Sequence, residues 1–264
     1  MKKKNLLVSV VVPAYNDEKY IEQALNDLLK QTYKSLEIII VDDGSTDNTS
    51  SICKKYADTH SHISFYKKNN GGTGSALNLG FSKATGHYGT WVSSDDRRSP
   101  EAIEKMVNAL EEANVELVFS AYFSERFNRA WRSYTPDNSA RGYKWAQNGF
   151  IHDGARAQSK KTFVVDNWVE INLECCHSGV SFLFTMKLKN KAGDYLTIPG
   201  EDYHMQVKMA MLTDNKVAYI DKVLGWHRFP ATSLTSTNAA CVFEAERITK
   251  SMIIEWQKTG VVNA

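Results

Sequence analysis

Leu6-Leu7-Val8-Ser9-Val10-Val11-Val12-Pro13-Ala14-Tyr15-Asn16-Asp17-Glu18 begins as a short, almost continuously apolar, β-branched run and then turns polar. Such a run reads as a strand covered on both faces, as in parallel sheets. Proline lacks the donor that a ladder needs, so Pro13 is expected to end the strand. Downstream, Ile21, Ala24, Leu25, Leu28 and Leu29 recur at the spacing of one helical face. Ile38-Ile39-Ile40-Val41 repeats the buried-strand pattern, and a helix through Ile52, Cys53 and Tyr56 follows. Ile63 to Tyr66 is a weaker third strand. The loop Asn69-Asn70-Gly71-Gly72-Thr73-Gly74 feeds a helix through Ala76, Leu77 and Ala84, stopped by Gly86. Tyr88 to Ser93 is a fourth strand. Ser99-Pro100 is expected to open another helix, with serine at the cap, proline in the first turn and Ile103, Met106, Val107 and Leu110 on the apolar face.

Strands alternating with helices over short connections specify an α/β fold with a mostly parallel twisted sheet and right-handed crossovers. After Val115 to Tyr122 the alternation loosens. Residues 125 to about 165 lack periodicity but hold too many aromatics for disorder, so they read as an irregular lobe. A helix through Met205, Met209 and Leu212 follows, then strands at Lys216 to Ile220 and Val223 to Phe229, and a terminal helix from about Ala239 to Trp256.

The chain has 264 residues, 42% of them hydrophobic, enough for a sizeable core. With 32 basic and 30 acidic residues the net charge is +2, which argues against a dedicated nucleic-acid binder. No apolar stretch reaches the roughly 20 residues needed to span a bilayer. The run after Met1-Lys2-Lys3-Lys4 has no cleavage-site pattern, so a cytoplasmic protein with reduced thiols at Cys53, Cys175, Cys176 and Cys241 is expected. Cys175-Cys176-His177 lacks the spacing of a zinc site.

In open parallel sheets, ligands bind beyond the carboxyl ends of the strands. There the chain offers Pro13 to Glu18 after the first strand and Asp42-Asp43-Gly44-Ser45 after the second. The glycine loop follows the third strand, and Ser94-Asp95-Asp96 the fourth. Asp and Gly are ordinary turn formers, but four such segments at one edge suit a nucleotide with a metal-bridged diphosphate. Asp95 and Asp96 repel each other unless a cation or donor compensates; the plainer reading is that Asp96 caps a turn.

In order and spacing, Val8 to Glu18, Val41-Asp42-Asp43-Gly44-Ser45-Thr46-Asp47 and Ser94-Asp95-Asp96 resemble the family 2 glycosyltransferases of the GT-A fold. The strong likeness covers about residues 6 to 100, with weaker matches at Gly200-Glu201-Asp202-Tyr203 and at His227-Arg228 followed by Ser233. The resemblance implies an inverting transferase that takes a sugar from a nucleotide-diphosphate sugar, UDP being the expected carrier. Pro13, Tyr15 and Glu18 would line the nucleoside pocket and Asp43 would bond the base. Ser94 belongs to the same donor-binding set. Asp95, with Asp96 beside it, would hold Mg²⁺ or Mn²⁺. Arg228 would neutralise phosphate charge, and Asp202, or Glu201 next to it, would be the general base. Read alone, Glu201-Asp202 is equally an acidic helix N-terminus. The implied organisation is a nucleotide-sugar part over 1–122, an acceptor and base part of the same domain over 123–235, and a C-terminal helix over 236–264.

The chain departs from the family pattern in three places. Ser93 stands where an aspartate usually opens the metal motif. Pro230 stands where a histidine is common, leaving His227 as a shifted imidazole for the metal or as a strand residue packing beside Trp226. Ala76 and Leu77 stand near a usual arginine. The aromatics Trp131, Tyr134, Tyr143, Trp145 and Trp168 suit either core filling or a glycan or lipid-linked acceptor. The terminal stripe Val242, Phe243, Ile248, Met252, Ile253 and Trp256 suits packing on its own domain, a homodimer, or a peripheral contact with the inner face of a membrane. Two rival readings are a nucleotide-sugar-binding relative without turnover and a sugar nucleotidyltransferase, which calls for a Gly-rich, Arg-containing signature after the first strand, where this chain has Pro13-Ala14-Tyr15-Asn16.

Overall fold

β1 (Val8–Ala14) is buried along its whole length and lies parallel between two neighbours, β2 (Leu36–Asp42) and β4 (Tyr88–Trp91). β3 (Ile63–Lys67) extends the parallel set beyond β2. The computed structural model describes residues 5–124, 129–131, 162–165, 169, 180–228 and 239–262. The rings of Trp131, Tyr134, Tyr143, Trp145 and Trp168 lie outside the described residues, as do Cys175-Cys176-His177, Phe229, Pro230, Ser233 and the side chains of Cys241, Val242 and Phe243.

The crossovers are α1 (Ile21–Leu29), α2 (Thr49–Thr59) and α3 (Thr73–Lys83). After β4 come β5 (Arg97–Arg98), α4 (Ala102–Ala113), β6 (Leu117–Ser124), β7 (Arg129–Trp131) and β8 (Thr162–Val165). β9 (Phe182–Thr185), α5 (Met186–Ala192), α6 (Glu201–Leu212), β10 (Val217–His227) and α7 (Ala239–Thr259) complete the order. The sheet runs β3-β2-β1-β4-β9-β6-β10-β5, with β7 on β6 and β8 on β10. Its β3 to β4 half is parallel; β9 then enters antiparallel to both β4 and β6.

Alternation along the strands feeds two cores. Val10, Val12, Ile38 and Ile40 pack with α1, α2 and α4, while Val11, Ile39 and Val41 pack with α3, α5, α6 and α7. Ile21, Leu25 and Leu28 deliver the buried stripe of α1, and burying each such side chain contributes roughly 1.5–3 kcal/mol. Cys53 sits in the same layer, and burial pushes its thiol up to about 12.

Several boundaries differ from expectation. Pro13 lies inside β1, opposite Val41. The ladder to β4 stops at Val11, so the missing N–H of Pro13 costs no bond on that side. α4 begins at Ala102 with Glu101 at its cap, not at Ser99-Pro100; the Ser99 carbonyl accepts the Ala102 N–H in a turn that precedes the helix. The two strands expected over 216–229 are one strand, β10, with an irregularity between Ile220 and Val223. Part of the apolar stripe of α7 packs on its own domain: Ile253 is buried, with Met252 and Trp256 against the same core.

Candidate functional site

Neighbouring strands β1 and β2 end together at Ala14 and Asp42, with Tyr15 and Asp43 next in the chain, while β4 ends opposite Val11 and leads through a short turn to Asp95. Tyr15 is 48% exposed, a free aromatic face on the rim. Pro13, by contrast, is buried within β1.

The loops after β1 and β2 are zipped to each other. Asn16 takes φ 54 and accepts the Thr46 N–H on Oδ1 at 2.8 Å, while its own N–H reaches Ser45 Oγ at 3.0 Å. The Asp17 N–H donates to Thr49 Oγ1 at 2.8 Å, and the Glu18 N–H to Asp47 Oδ2 at 3.1 Å. Glu18 Oε2 accepts from both the backbone N–H and Nδ2 of Asn48, at 3.0 and 2.8 Å. Glu18 is thus a tie between the two loops.

Asp42 and Asp43 are richly served with donors. Asp42 accepts from Ser45 N–H at 2.9 Å and from the Ser50 hydroxyl, and Lys67 lies 3.4 Å away. Burial raises its carboxyl, but those hydrogen bonds and Lys67 outweigh burial and hold it below the usual carboxylate range. The Asp43 carboxylate takes Lys68 Nζ at 2.6 Å, the Gly71 N–H at 3.0 and 3.2 Å, and the Gly72 N–H at 2.8 Å. Gly44, at φ +85, lets the chain turn there; a Cβ would stand 2.9 Å from the Asn70 nitrogen. Asp43 therefore closes the loop that feeds α3.

Past β4, Ser93 Oγ donates to Asp95 Oδ1 at 2.6 Å, and Ser94 Oγ donates to Asp17 Oδ2. Burial, with Asp95 adding charge, pushes Asp17 up to about 6 against the opposing Ser94 bond. Asp96 points inward. It accepts the Arg228 N–H on Oδ1 at 3.0 Å, and burial followed by the charge of Asp95 raises its carboxyl well above the ordinary range. Arg98, buried nearby, is lowered to about 10 by burial against the opposing pull of Asp96. His227 packs edge-on to Tyr122, with ring centroids 6.1 Å apart. Burial, then Arg98, lowers it to about 4, so the imidazole is neutral at pH 7. Arg228 turns its side chain toward α1: its guanidinium lies 5.2 Å above the Tyr20 ring and donates to Gln23.

At the N-terminus of α6, Glu201 is buried and Asp202 keeps partial exposure. Burial raises both carboxyls, Glu201 to about 8 with Asp202 adding charge. No side chain caps this helix. The acid pair adjoins the rim: Asp96 and Asp202 both act on the buried Tyr122 hydroxyl and, after burial, help to raise it.

A divalent cation fits what stands here. Asp95 keeps partial exposure, and oxygen ligands surround it in Ser93, Ser94 and Asp17. Among the described residues no group of three or more His, Cys, Asp or Glu forms a cage. Mg²⁺ needs none, since one or two carboxylates plus substrate phosphates complete its shell. Sequence reasoning missed Asp17, Lys68, Tyr122 and Tyr195. An acid inside the quoted Asn16-Asp17-Glu18 turn was the one available signal.

A large mixed sheet flanked by helices, with its parallel half at one side, is the architecture of GT-A glycosyltransferase structures. The profile described as Glycosyl transferase family 2 matches residues 9–177, and the chain belongs to that family. Glycosyltransferase GlyG of Streptococcus pneumoniae serotype 4 is 40% identical over 119 residues, 45% of this chain and 40% of GlyG. The chain spans well under half the length of the first curated relatives it matches. Among solved structures, S. aureus TarS 1-349 in complex with UDP-GlcNAc has a TM-score of 0.69 at 20% identity, covering 92% of this chain and 65% of that one. The mannosyltransferase PcManGT of Pyrobaculum calidifontis, in complex with GDP-Man and Mn²⁺, has a TM-score of 0.64 at 20% identity, covering 98% of this chain and 66% of that one. No helix among the described residues is long and apolar enough to cross a membrane.

Proposed function

We propose that the chain is an inverting glycosyltransferase that moves a sugar from a nucleotide-diphosphate sugar, with UDP as carrier, to a glycan or lipid-linked acceptor. One observation carries the reading: Tyr15, Asp43 and Asp95 share one sheet edge, and Tyr122 joins that edge to the acid pair on α6. Complexes of TarS with UDP-GlcNAc and of PcManGT with GDP-Man and Mn²⁺ support the donor class.

Tyr15 offers its exposed ring to the nucleoside. Asp43 holds the loop against which the base sits, with Pro13 and Glu18 shaping the pocket floor from behind. Asp95, oriented by Ser93, holds the cation, and His227 is a neutral imidazole within the same rim. A bound Mg²⁺ or Mn²⁺ would supply charge neutralisation to the departing diphosphate. Asp96 balances buried Arg98 and anchors the main chain at Arg228. The Arg228 guanidinium reaches phosphate only by leaving Gln23 and Tyr20.

Asp202, the more exposed acid, removes the acceptor hydroxyl proton as the glycosidic bond forms, while Glu201 retains a proton beside it. A carboxylate starved of donors is a stronger base than one in water, which suits proton abstraction from a hydroxyl.

The reading is tested by a thermal-shift panel of UDP, GDP and their sugars with Mn²⁺ or Mg²⁺, with and without chelator. A metal-dependent rise in Tm with a UDP-sugar is expected. Absence of any shift with every nucleotide sinks the proposal.

A further inference from the structure

α3 stands between the donor rim and the acid pair and is fixed at both ends. Ahead of Thr73, the N–H groups of Gly71 and Gly72 bond the Asp43 carboxylate. Further along, Asn78 grips the main chain of Tyr195 at two points. Its Nδ2 donates to the Tyr195 carbonyl at 3.0 Å, and its Oδ1 accepts the Tyr195 N–H at 2.8 Å. A carboxamide alone among side chains offers a donor and an acceptor in the plane that matches a peptide group; Asp lacks the donor and Leu lacks both.

Two further contacts fix the same segment. Phe81 stacks on the Tyr195 ring with centroids 5.8 Å apart and planes 10° apart. At Gly74 a Cβ would stand 1.8 Å from the Leu196 carbonyl oxygen, so the main chains of α3 and this segment meet directly and no larger residue fits. Only a short stretch then leads to Glu201 and Asp202 at the head of α6. The buried Tyr195 hydroxyl has the Trp91 indole as its polar neighbour. It lies within electrostatic reach of Asp202 and Glu201, which add to the rise that burial imposes on it. The indole can only donate, so the hydroxyl's own proton stays available within the field of two carboxyls whose donors are main-chain amides of their own helix end.

We propose that Asn78 and Tyr195 are positioning residues for the acid pair, the first locking the approach to α6 and the second standing beside the carboxyls themselves. Through α3 the geometry of the base is set by the same loop that Asp43 closes at the donor rim. This inference rests on the reading of Glu201-Asp202 as the base pair.

The test uses the full chain and the variants Asn78→Ala and Tyr195→Phe, with Ser82→Ala, on the exposed side of the same helix, as control. UDP with Mn²⁺ is the binding probe, and turnover is followed with the nucleotide sugar the wild type uses fastest. Both variants are expected to lower kcat about tenfold or more, as small misplacements of a catalytic group do, while the UDP Kd stays within about twofold. Ser82→Ala retains wild-type kcat. Should Asn78→Ala fail to fold, Tyr195→Phe, which keeps the ring stack on Phe81, decides alone. Wild-type kcat in Tyr195→Phe overturns the proposal, as does a parallel loss of kcat and UDP affinity. A wild type that turns over with unaffected variants defeats this inference alone; a wild type inactive with every nucleotide sugar defeats the functional reading beneath it.

Discussion

Two pairs of adjacent acids stand in opposite conditions. Asp42 and Asp43 at the end of β2 are surrounded by donors: Ser45, Ser50, Lys67, Lys68, Gly71 and Gly72. Glu201 and Asp202 on α6 have only main-chain amides at their own helix end, and burial raises both. The contrast separates two uses of one residue type. A satisfied carboxylate builds a rigid frame, because breaking its bonds strands buried donors. A starved one keeps its affinity for a proton, which is what a general base needs.

The widest separation between the pairs is expected from Asp202→Asn. Its kcat falls by roughly 100-fold to 10,000-fold while UDP binding persists, measured by turnover and calorimetry on one preparation. Equal loss of binding and turnover would erase the contrast. Asp43→Ala is expected to act first on the frame, leaving two glycine amides without an acceptor and Lys68 with the Asn69 carbonyl alone, and lowering stability by about 3 kcal/mol in urea titration. An unfolding midpoint like that of the wild type would mean the clamp holds nothing.

The pairs also differ in sign with pH. The folded value of Glu201, about 8, lies above its unfolded one, so the native state holds the proton longer and stability falls as pH rises toward 8. In Glu201→Gln the slope of Tm against pH flattens over that window. Asp42 behaves oppositely. Its folded value is depressed, so its contribution is complete above the unfolded value of about 4 and fades as pH falls through the folded one. Asp42→Asn accordingly costs about 1 kcal/mol at pH 7 and less in acid. The smallest effect is expected from Ser93→Ala, which frees Asp95 Oδ1 and changes the Mn²⁺ requirement by about two- to fivefold.

Legibility in the sequence divides along the same line. β1, α1, β2 and α2 announce themselves because their cores are local runs such as Val10 to Val12 and Ile38 to Val41. β9 and α5 do not, because Phe182 and Phe184 become a strand only by pairing with β4 and β6, far away in the chain. Two-residue β5 exists only against Trp226 and Gly225. Pro13 misled because the rule against proline assumes a ladder on both sides. At the site, Tyr15, Asp43, Asp95 and the acid pair could be named from motifs. That Glu18 bonds Asn48, that Arg228 leans on Tyr20, and that Asp96 faces Arg98 depend on side-chain directions that no motif encodes.

The clamp on Asp43 is asymmetric in what heredity can alter. Two of its three donor groups belong to the polypeptide backbone, at Gly71 and Gly72, and every residue but proline carries that hydrogen. Gly72 takes φ +83, which an L side chain rarely adopts, and a Cβ at Gly71 would stand 2.8 Å from Lys68 Nζ, so codons 71 and 72 keep the amide yet resist a side chain. Variation in a library of random mutants is therefore expected to be purged at all three positions, at 43 for its carboxylate and at 71 and 72 for their main-chain geometry.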